Sequence, residues 1–425
     1  MESFVIEGGA RLSGAVGVHG AKNAALPIMA ATLLTGGTYV LENVPDLLDI
    51  RTMIDILAAL GVQVRRQGER LFIDTSTLSS NVVPELLMSQ MRSSIFLMGP
   101  LVARTGEAVL GYPGGCAIGS RPIDLHIEGL QKLNVNIHEY GGTILCRAPK
   151  LKGSTIVLDY PSVGATENIM MAAVLAEGTT RIVNAAREPE IQDLERFLNA
   201  MGARVRGAGT HAIVIEGVGA LHPVERYRII PDRIVAGTYL AAAAMTEGDV
   251  WIENVIPEHL EAVIDVVHKT GARIDVYADR LHVKGVRPYR AVHKLSTSPH
   301  PGFPTDMQPQ LVAYLTMAEG TSVVMETVFD GRFRHIPELV KMGANIVVDY
   351  HTVVIRGPAR LVGARVKATD LRAGASLVMA GLAAEGMTIV DGAHHVDRGY
   401  SDLETALCGL GARIERVPMK TLLAQ

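Results

Sequence analysis

Only three cysteines stand among the 425 residues, at Cys116, Cys146 and Cys408. They are too few and too scattered for a disulfide framework or a zinc site, and the odd number points to a reducing compartment. Charge of one sign is also missing: 40 Lys and Arg against 44 Asp and Glu leave −4. That excludes bulk attraction to nucleic acid, so an anionic ligand must be held by a local cluster of cations. Long hydrophobic runs are absent too. "IVAGTYLAAAAM" falls well short of the roughly 18 apolar residues that cross a bilayer. The opening "MESFVIEGGARLSG" carries Glu2 and Glu7 and no basic stretch ahead of an apolar core, so a signal peptide is not expected. A cytoplasmic location follows as the expectation.

What the chain has in quantity is glycine, 43 residues of it, and the glycines are periodic. Six copies of one pattern run from end to end: an apolar, Ala-rich helix, a Gly turn, a strand, a second helix closing on "LG" or its equivalent, and two more strands. The turn glycines are Gly37, Gly106, Gly178, Gly248, Gly320 and Gly386, spaced by 69, 72, 70, 72 and 66 residues. The closing positions are Gly61, Asn134, Gly202, Gly271, Gly343 and Gly411. Asn at 134 fits the series, because Asn follows Gly in tolerance of a left-handed helix cap.

The first helix of each unit ("ALPIMAATLL", "IMMAAVLA", "SLVMAGLAA") has no polar face and must be buried all round. The second is amphipathic, with Ile50, Met53, Ile54, Leu57 and Leu60 on one side in repeat one. The strands alternate, so one face of each sheet meets water. The expected architecture is α/β: a two-domain, inside-out (inverted) α/β barrel of six βαβαββ-like repeats, three per domain. One domain is expected at 22–230 and the other at 1–21 plus 231–425, with an active site in the cleft between them. The first 20 residues read as two strands completing the last repeat.

Unusual residues gather just ahead of the buried helices: Lys22 and Asn23 in "GAKNAALP", Arg92 in "MRSS", Ser162 in "YPSVGATEN", Asp306 in "GFPTDMQPQ", Asp370 and Arg372 in "ATDLRAGAS". Helix starts suit anions. Ser162, Asp306 and Asp370 are explained equally well as N-caps. Lys22 and Arg92 are not, since a cation there opposes the helix dipole. In "GYPGGCAIGSRPIDLHIEGL", Gly114, Gly115 and Gly119 describe a loop able to close, with Cys116 at its tip and Arg121 five residues on. A thiol in that setting is a candidate reactive cysteine; the alternative is a small hydrophobe in a turn. Cys146 and Cys408 fall in strand-like and helix-like stretches and read as structural.

These motifs, with "PHPGFPTDMQPQ", "NAAREPEI" and "VDRGY", resemble the UDP-N-acetylglucosamine 1-carboxyvinyltransferases, a family of enolpyruvyl transferases. The resemblance runs from Phe4 to about Val417. It implies transfer of the enolpyruvyl group of phosphoenolpyruvate to the 3′-hydroxyl of UDP-N-acetylglucosamine, with release of phosphate, at the entry to peptidoglycan precursor synthesis. The implied reaction is addition then elimination through a tetrahedral ketal, with no metal and no organic cofactor. Lys22, Arg121 and Arg398 then correspond to the phosphoenolpyruvate clamp. Cys116 corresponds to the proton-donating cysteine that fosfomycin alkylates, and Asp306 to the carboxylate beside the sugar hydroxyl. Nucleotide-sugar contacts are implied at Asn23, Arg92, Arg121, Pro122, Ile123, Asp124, Leu125, Ser162, Val163, Gly164, Asp306 and Val328. Arg332, Asp370, Arg372 and His395 are implied as support for the site, with Arg332 and Arg372 also counted as substrate-binding. Val235 and Ser401 depart from the family pattern beside two motifs. Two other readings compete: a 5-enolpyruvylshikimate-3-phosphate synthase-like transferase, which is not expected to carry "PGGCAIGSRP", and a silent nucleotide-sugar-binding paralogue, which has no chemical need for the set Lys22, Cys116, Arg121, Asp306 and Arg398.

Overall fold

The closing positions of the second helices are all left-handed. Gly61, Asn134, Gly202, Gly271, Gly343 and Gly411 have φ of 91°, 71°, 93°, 107°, 94° and 91°. The computed structural model describes residues 2–114 and 123–418. They divide into two compact units, one of residues 20–114 and 123–230, the other of residues 2–19 and 231–418.

Each unit holds three sheets. In the unit containing residues 20–230, one sheet has the order Tyr227–Arg228, Thr38–Glu42, Arg70–Asp74, Gln63–Gln67. A second runs Thr155–Val157, Thr179–Val183, Ala212–Glu216, Arg204–Arg206, and the third joins Glu107–Gly111, Thr143–Arg147 and Asn136–Tyr140. The burial of Arg70–Asp74 alternates, with Leu71 and Ile73 inside, as a sheet with one wet face requires. Helices Lys22–Ala31, Met98–Thr105 and Val163–Ala173 carry the apolar segments, and Met98–Thr105 packs directly on Val163–Ala173.

In the other unit, helices Arg233–Met245, Gln308–Leu315 and Leu371–Ala383 touch one another pairwise. Nearly all of their residues are buried, which explains sequences without a polar face. In four of the six sheets the edge segment that precedes a buried helix lies parallel to the strand that follows that same helix: Thr155–Val157, Leu295–Ser296 and Arg365–Lys367 as strands, and Val82 as a bridge to Val109.

Two details differ from the sequence reading. The opening strands do not both complete the last repeat. Glu2–Glu7 does, lying between Met387–Asp391 and Arg413–Pro418. Ser13–Gly17 instead pairs parallel with Asp249–Glu253 of repeat four, while Tyr227–Arg228, ahead of repeat four's helix, pairs with Thr38–Glu42 of repeat one. The two segments have exchanged sheets. The second difference is the turn of repeat four. Gly37, Gly106, Gly178, Gly320 and Gly386 have positive φ, but there the left-handed residue is Glu247, at 52°. Gly248 is needed for space, since a Cβ on it would lie 2.6 Å from the Leu12 carbonyl oxygen.

Candidate active site

Lys22 opens helix Lys22–Ala31 and is buried. Its Nζ donates to Asp49 Oδ2 at 3.0 Å, and Asp49 sits in the first turn of helix Leu48–Ala59. An ammonium buried against its own helix dipole is tolerated because a carboxylate from a neighbouring helix start meets it. Asn23 follows it, half-buried. Arg92, also half-buried, opens a 3-10 segment, Arg92–Leu97, ahead of helix Met98–Thr105.

Ser162 is the N-cap of helix Val163–Ala173, its Oγ accepting from Ala165 N at 3.3 Å. Val163 and Gly164 form the first turn, half-exposed. Gly164 is tightly packed: a Cβ there would lie 3.0 Å from His126 Cε1 and 3.1 Å from Phe96 Cε1, so those rings would have to give by a few tenths of an ångström. His126 belongs to helix Asp124–Lys132, so the Asp124–Leu125 and Ser162–Gly164 stretches are brought side by side. Ile123 is buried at the entrance to that helix. Asn168 Nδ2 lies 3.1 Å from His126 Nδ1 and also donates to Ile95 O, while its Oδ1 accepts from Gly99 N at 2.6 Å. Cys116, Arg121 and Pro122 lie outside the described residues.

In the other unit the carboxylate of Asp306 is not a helix cap. It lies in the 3-10 turn Thr305–Met307, and two buried guanidinium groups grip it. Arg332 Nη2 donates to Oδ1 at 2.6 Å; Arg372 donates to Oδ2 from Nη2 at 3.1 Å and Nε at 3.3 Å. The two arginine side chains are 2% and 1% exposed, and the aspartate side chain 28%. Asp370 is the N-cap of helix Leu371–Ala383, accepting from Arg372 N and Ala373 N. Arg372 stacks over Tyr400 at 5.3 Å. Burial would lower the Arg372 pKa, but Tyr400, Asp306 and Asp232 outweigh it, and the net direction is up. Arg398 is half-buried just after the short helix Ala393–Val396. His395 beside it has its pKa lowered by burial first, then by His394 and Arg398. Val235, where the family pattern departs, is buried on helix Arg233–Met245, and its N–H caps onto Asp232.

Besides Asp49, three residues escaped the sequence reading. Glu326 is buried and accepts four hydrogen bonds, from Thr297 Oγ1, Thr305 Oγ1, Val328 N and Phe329 N, at 2.8, 2.9, 2.9 and 3.2 Å. It therefore ties Val328 and the Asp306 turn to one strand end. Its signal was present in the inward alternation Ser322, Val324, Glu326. Glu167 is fully buried and neither carboxyl oxygen has a hydrogen-bond partner. Burial, reinforced by Glu190 and Glu188, pushes its pKa well above the usual carboxylate range. His335, also fully buried, has its pKa pushed down to about 4 by burial, with Arg332 adding and Asp370 opposing.

Of the two described cysteines, Cys146 is buried and Cys408 exposed. Burial, with Glu139 adding, pushes the Cys146 thiol up to about 12, and Cys408 Sγ donates to Ile414 O. No helix among the described residues is long and apolar enough to cross a membrane.

Six sheets and apolar helices, with cations and caps at the helix starts, are the parts of an enolpyruvyl transferase. Residues 6–407 match the EPSP synthase (3-phosphoshikimate 1-carboxyvinyltransferase) family, and the chain belongs to it. Among its relatives, UDP-N-acetylglucosamine 1-carboxyvinyltransferase 2 of Caldanaerobacter subterraneus subsp. tengcongensis is 54% identical over 417 residues, 98% of this chain and 100% of the relative. UDP-N-acetylglucosamine 1-carboxyvinyltransferase 1 of Carboxydothermus hydrogenoformans is 52% identical over 98% of this chain and 99% of its own. The crystal structure of the enolpyruvyl transferase NikO from Streptomyces tendae superposes with a TM-score of 0.89 at 29% identity, over 98% of this chain and 99% of that one. EPSP synthase from Acinetobacter baumannii, at 21% identity and a TM-score of 0.77 over 98% of this chain and 100% of its own, shares the fold.

Proposed function

We propose that the protein transfers the enolpyruvyl group of phosphoenolpyruvate to the 3′-hydroxyl of UDP-N-acetylglucosamine and releases phosphate, in the cytoplasm, at the start of peptidoglycan precursor synthesis. The near end-to-end identity of 54% with a relative of that name carries the reading. Phosphoenolpyruvate bears a carboxylate and a phosphate, and Lys22, Arg121 and Arg398 supply the cations for them. Cys116 delivers a proton to C3 of the donor while the sugar oxygen attacks C2, and Asp306 takes the hydroxyl proton. The tetrahedral ketal then loses a proton from C3 as the bond from C2 to the phosphate oxygen breaks, leaving the enol ether and phosphate.

Asn23, Arg92, Arg121 to Leu125, Ser162 to Gly164, Asp306 and Val328 hold the nucleotide sugar, with the N–H groups of the "SVG" turn suited to its diphosphate. The sheets of each unit, apolar faces inward on shared helices, form an inverted α/β barrel in this reading, with domains at 22–230 and 1–21 plus 231–425.

Phosphate release with both substrates tests the function. Consumption of phosphoenolpyruvate with shikimate 3-phosphate, and none with the nucleotide sugar, overturns it in favour of the sister transferase; no turnover with either acceptor favours a binding-only role. Cys116→Ser is expected to cut turnover tenfold or more and to abolish labelling by fosfomycin. Cys116→Asp keeps a proton donor and is expected to retain activity while resisting the label. An unchanged rate in Cys116→Ser removes the thiol from the mechanism.

A further inference from the structure

The loop ahead of Asp306 is poorly equipped to hold itself. From Thr297 to Thr305 it reads "TSPHPGFPT", and Pro299, Pro301 and Pro304 have no N–H to donate. Ser298 N reaches Phe303 O at 2.9 Å and Gly302 N reaches Pro299 O at 2.9 Å inside it. Its two ends are joined by a side chain from elsewhere. Glu326, the first residue past strand Gly320–Met325, accepts from Thr297 Oγ1 on Oε1 at 2.8 Å and from Thr305 Oγ1 on Oε2 at 2.9 Å. One carboxylate therefore staples the loop shut, one oxygen to each end, and Asp306 is the next residue along.

The same group reaches the other way. Oε1 also accepts from Val328 N at 2.9 Å and Phe329 N at 3.2 Å. Thr297 closes the mesh: its N–H donates to Met325 O at 2.9 Å, its Oγ1 accepts from Thr327 N at 2.9 Å, and its carbonyl accepts from Thr327 Oγ1. Glu326 and Thr297 are both buried. Burying a carboxylate is unfavourable unless its oxygens are hydrogen-bonded, and these four donors are what offsets it. They come from just two segments. One carries Asp306 and the other carries Val328, and both are assigned to the nucleotide sugar.

We propose that Glu326 is a positioning residue for the acceptor: it fixes the Asp306 turn against the Val328 backbone before the sugar arrives, with Thr305 and Thr297 as the two ends of its hold. It acts through those segments and not on the reacting atoms. The proposal rests on the functional reading above. Its consequence is kinetic, because a misplacement of about 1 Å at a reacting group can cost about 10²-fold in rate.

The test compares kcat, KM for both substrates and the unfolding midpoint in the full-length wild type, Thr305→Val, Thr297→Val, Thr305→Ser and Thr297→Ser. Each valine keeps the shape and removes a hydroxyl from one end; each serine keeps the hydroxyl. Both valine variants are expected to lose about tenfold or more in kcat/KM for UDP-N-acetylglucosamine, and both serine variants to stay within about threefold of wild type. A loss in Thr305→Val that Thr297→Val does not share puts the effect on Thr305 alone and overturns the proposal. So does a serine variant as slow as its valine counterpart, or a lowered midpoint with unchanged kinetic constants, which makes the staple structural only. Amide exchange on the wild type reads the same hold without any variant. Val328 and Phe329 are expected to be protected before UDP-N-acetylglucosamine is added; protection gained only with it denies that the geometry is set in advance. A wild type that releases no phosphate with the nucleotide sugar removes the functional reading and this proposal with it, whereas normal turnover with unaffected valine variants removes the proposal alone.

Discussion

Two buried ion pairs in the protein solve opposite problems. Lys22 and Asp49 are one cation and one anion, 9% and 6% exposed, each from the start of its own helix. Asp306 is one anion gripped by two cations, and it retains several times that exposure. The first arrangement keeps an ammonium where the helix dipole would expel it. The second sets two guanidinium groups against a carboxylate that still reaches the surface. The difference teaches how to read a buried charge: at Lys22 a carboxylate offsets the cost of burying a cation at a helix start, whereas at Asp306 two guanidinium groups orient a carboxylate that stays partly exposed.

The comparison breaks first at its open end. Asp306→Asn keeps the shape and removes the proton acceptor, so kcat is expected to fall by about 10² to 10⁴-fold with modest change in KM. A fall below tenfold denies Asp306 the role of base. At the closed end, Asp49→Ala strips the carboxylate from a buried ammonium and is expected to lower stability by about 3 to 5 kcal/mol, measured by denaturant unfolding. An unchanged midpoint makes the pair incidental.

Asp193 sharpens the contrast from a third side. It is buried and accepts from Tyr227 Oη at 2.8 Å and Ile230 N at 3.3 Å, with Arg196 at 3.6 Å. Burial pushes its pKa up to about 6 against those hydrogen bonds and that cation. Below about pH 4 both folded and unfolded forms carry the proton. Between about 4 and 6 only the folded form retains it, so stability falls as pH rises through that window, by at most about 3 kcal/mol, and levels off above it. Asp193→Asn should flatten that slope in unfolding titrations; a slope that persists assigns it to other groups, Glu167 first. The smallest effect concerns the repeats. Gly343→Ala places a side chain at φ 94° and should cost about 1 to 2 kcal/mol, whereas Asn134→Gly, at 71°, should be near neutral. Equal costs would mean the two caps are not equivalent.

The period of the fold was legible because it depends on local chemistry. A glycine or asparagine that must turn left-handed, and a helix with no polar side, announce themselves in a short window. Gly248 misled because the left-handed turn moved one residue back to Glu247 while the glycine kept a packing role. The destination of Ser13–Gly17 was not legible, since nothing in five residues says which of two similar sheets will take an edge strand. Within the site, Lys22 stood out as a cation in the wrong field, but its partner Asp49 did not. Arg332 and Arg372 were legible as residues of interest. That both close on Asp306, 26 and 66 residues away, is a fact of tertiary structure alone. Glu167 hid inside an apolar helix, where its spacing matched the core.

The exchange of edge strands has a consequence for how the molecule is made. Residues 20–230 form one uninterrupted stretch, so their three sheets have every strand in hand once that stretch leaves the ribosome. The other unit begins with Glu2–Glu7, whose neighbours Met387–Asp391 and Arg413–Pro418 are synthesised last. Its first strand must wait, unpaired, through almost the whole of translation. An N-terminal fusion or a nick behind residue 7 would therefore spare the early-maturing half and strike the last sheet to close.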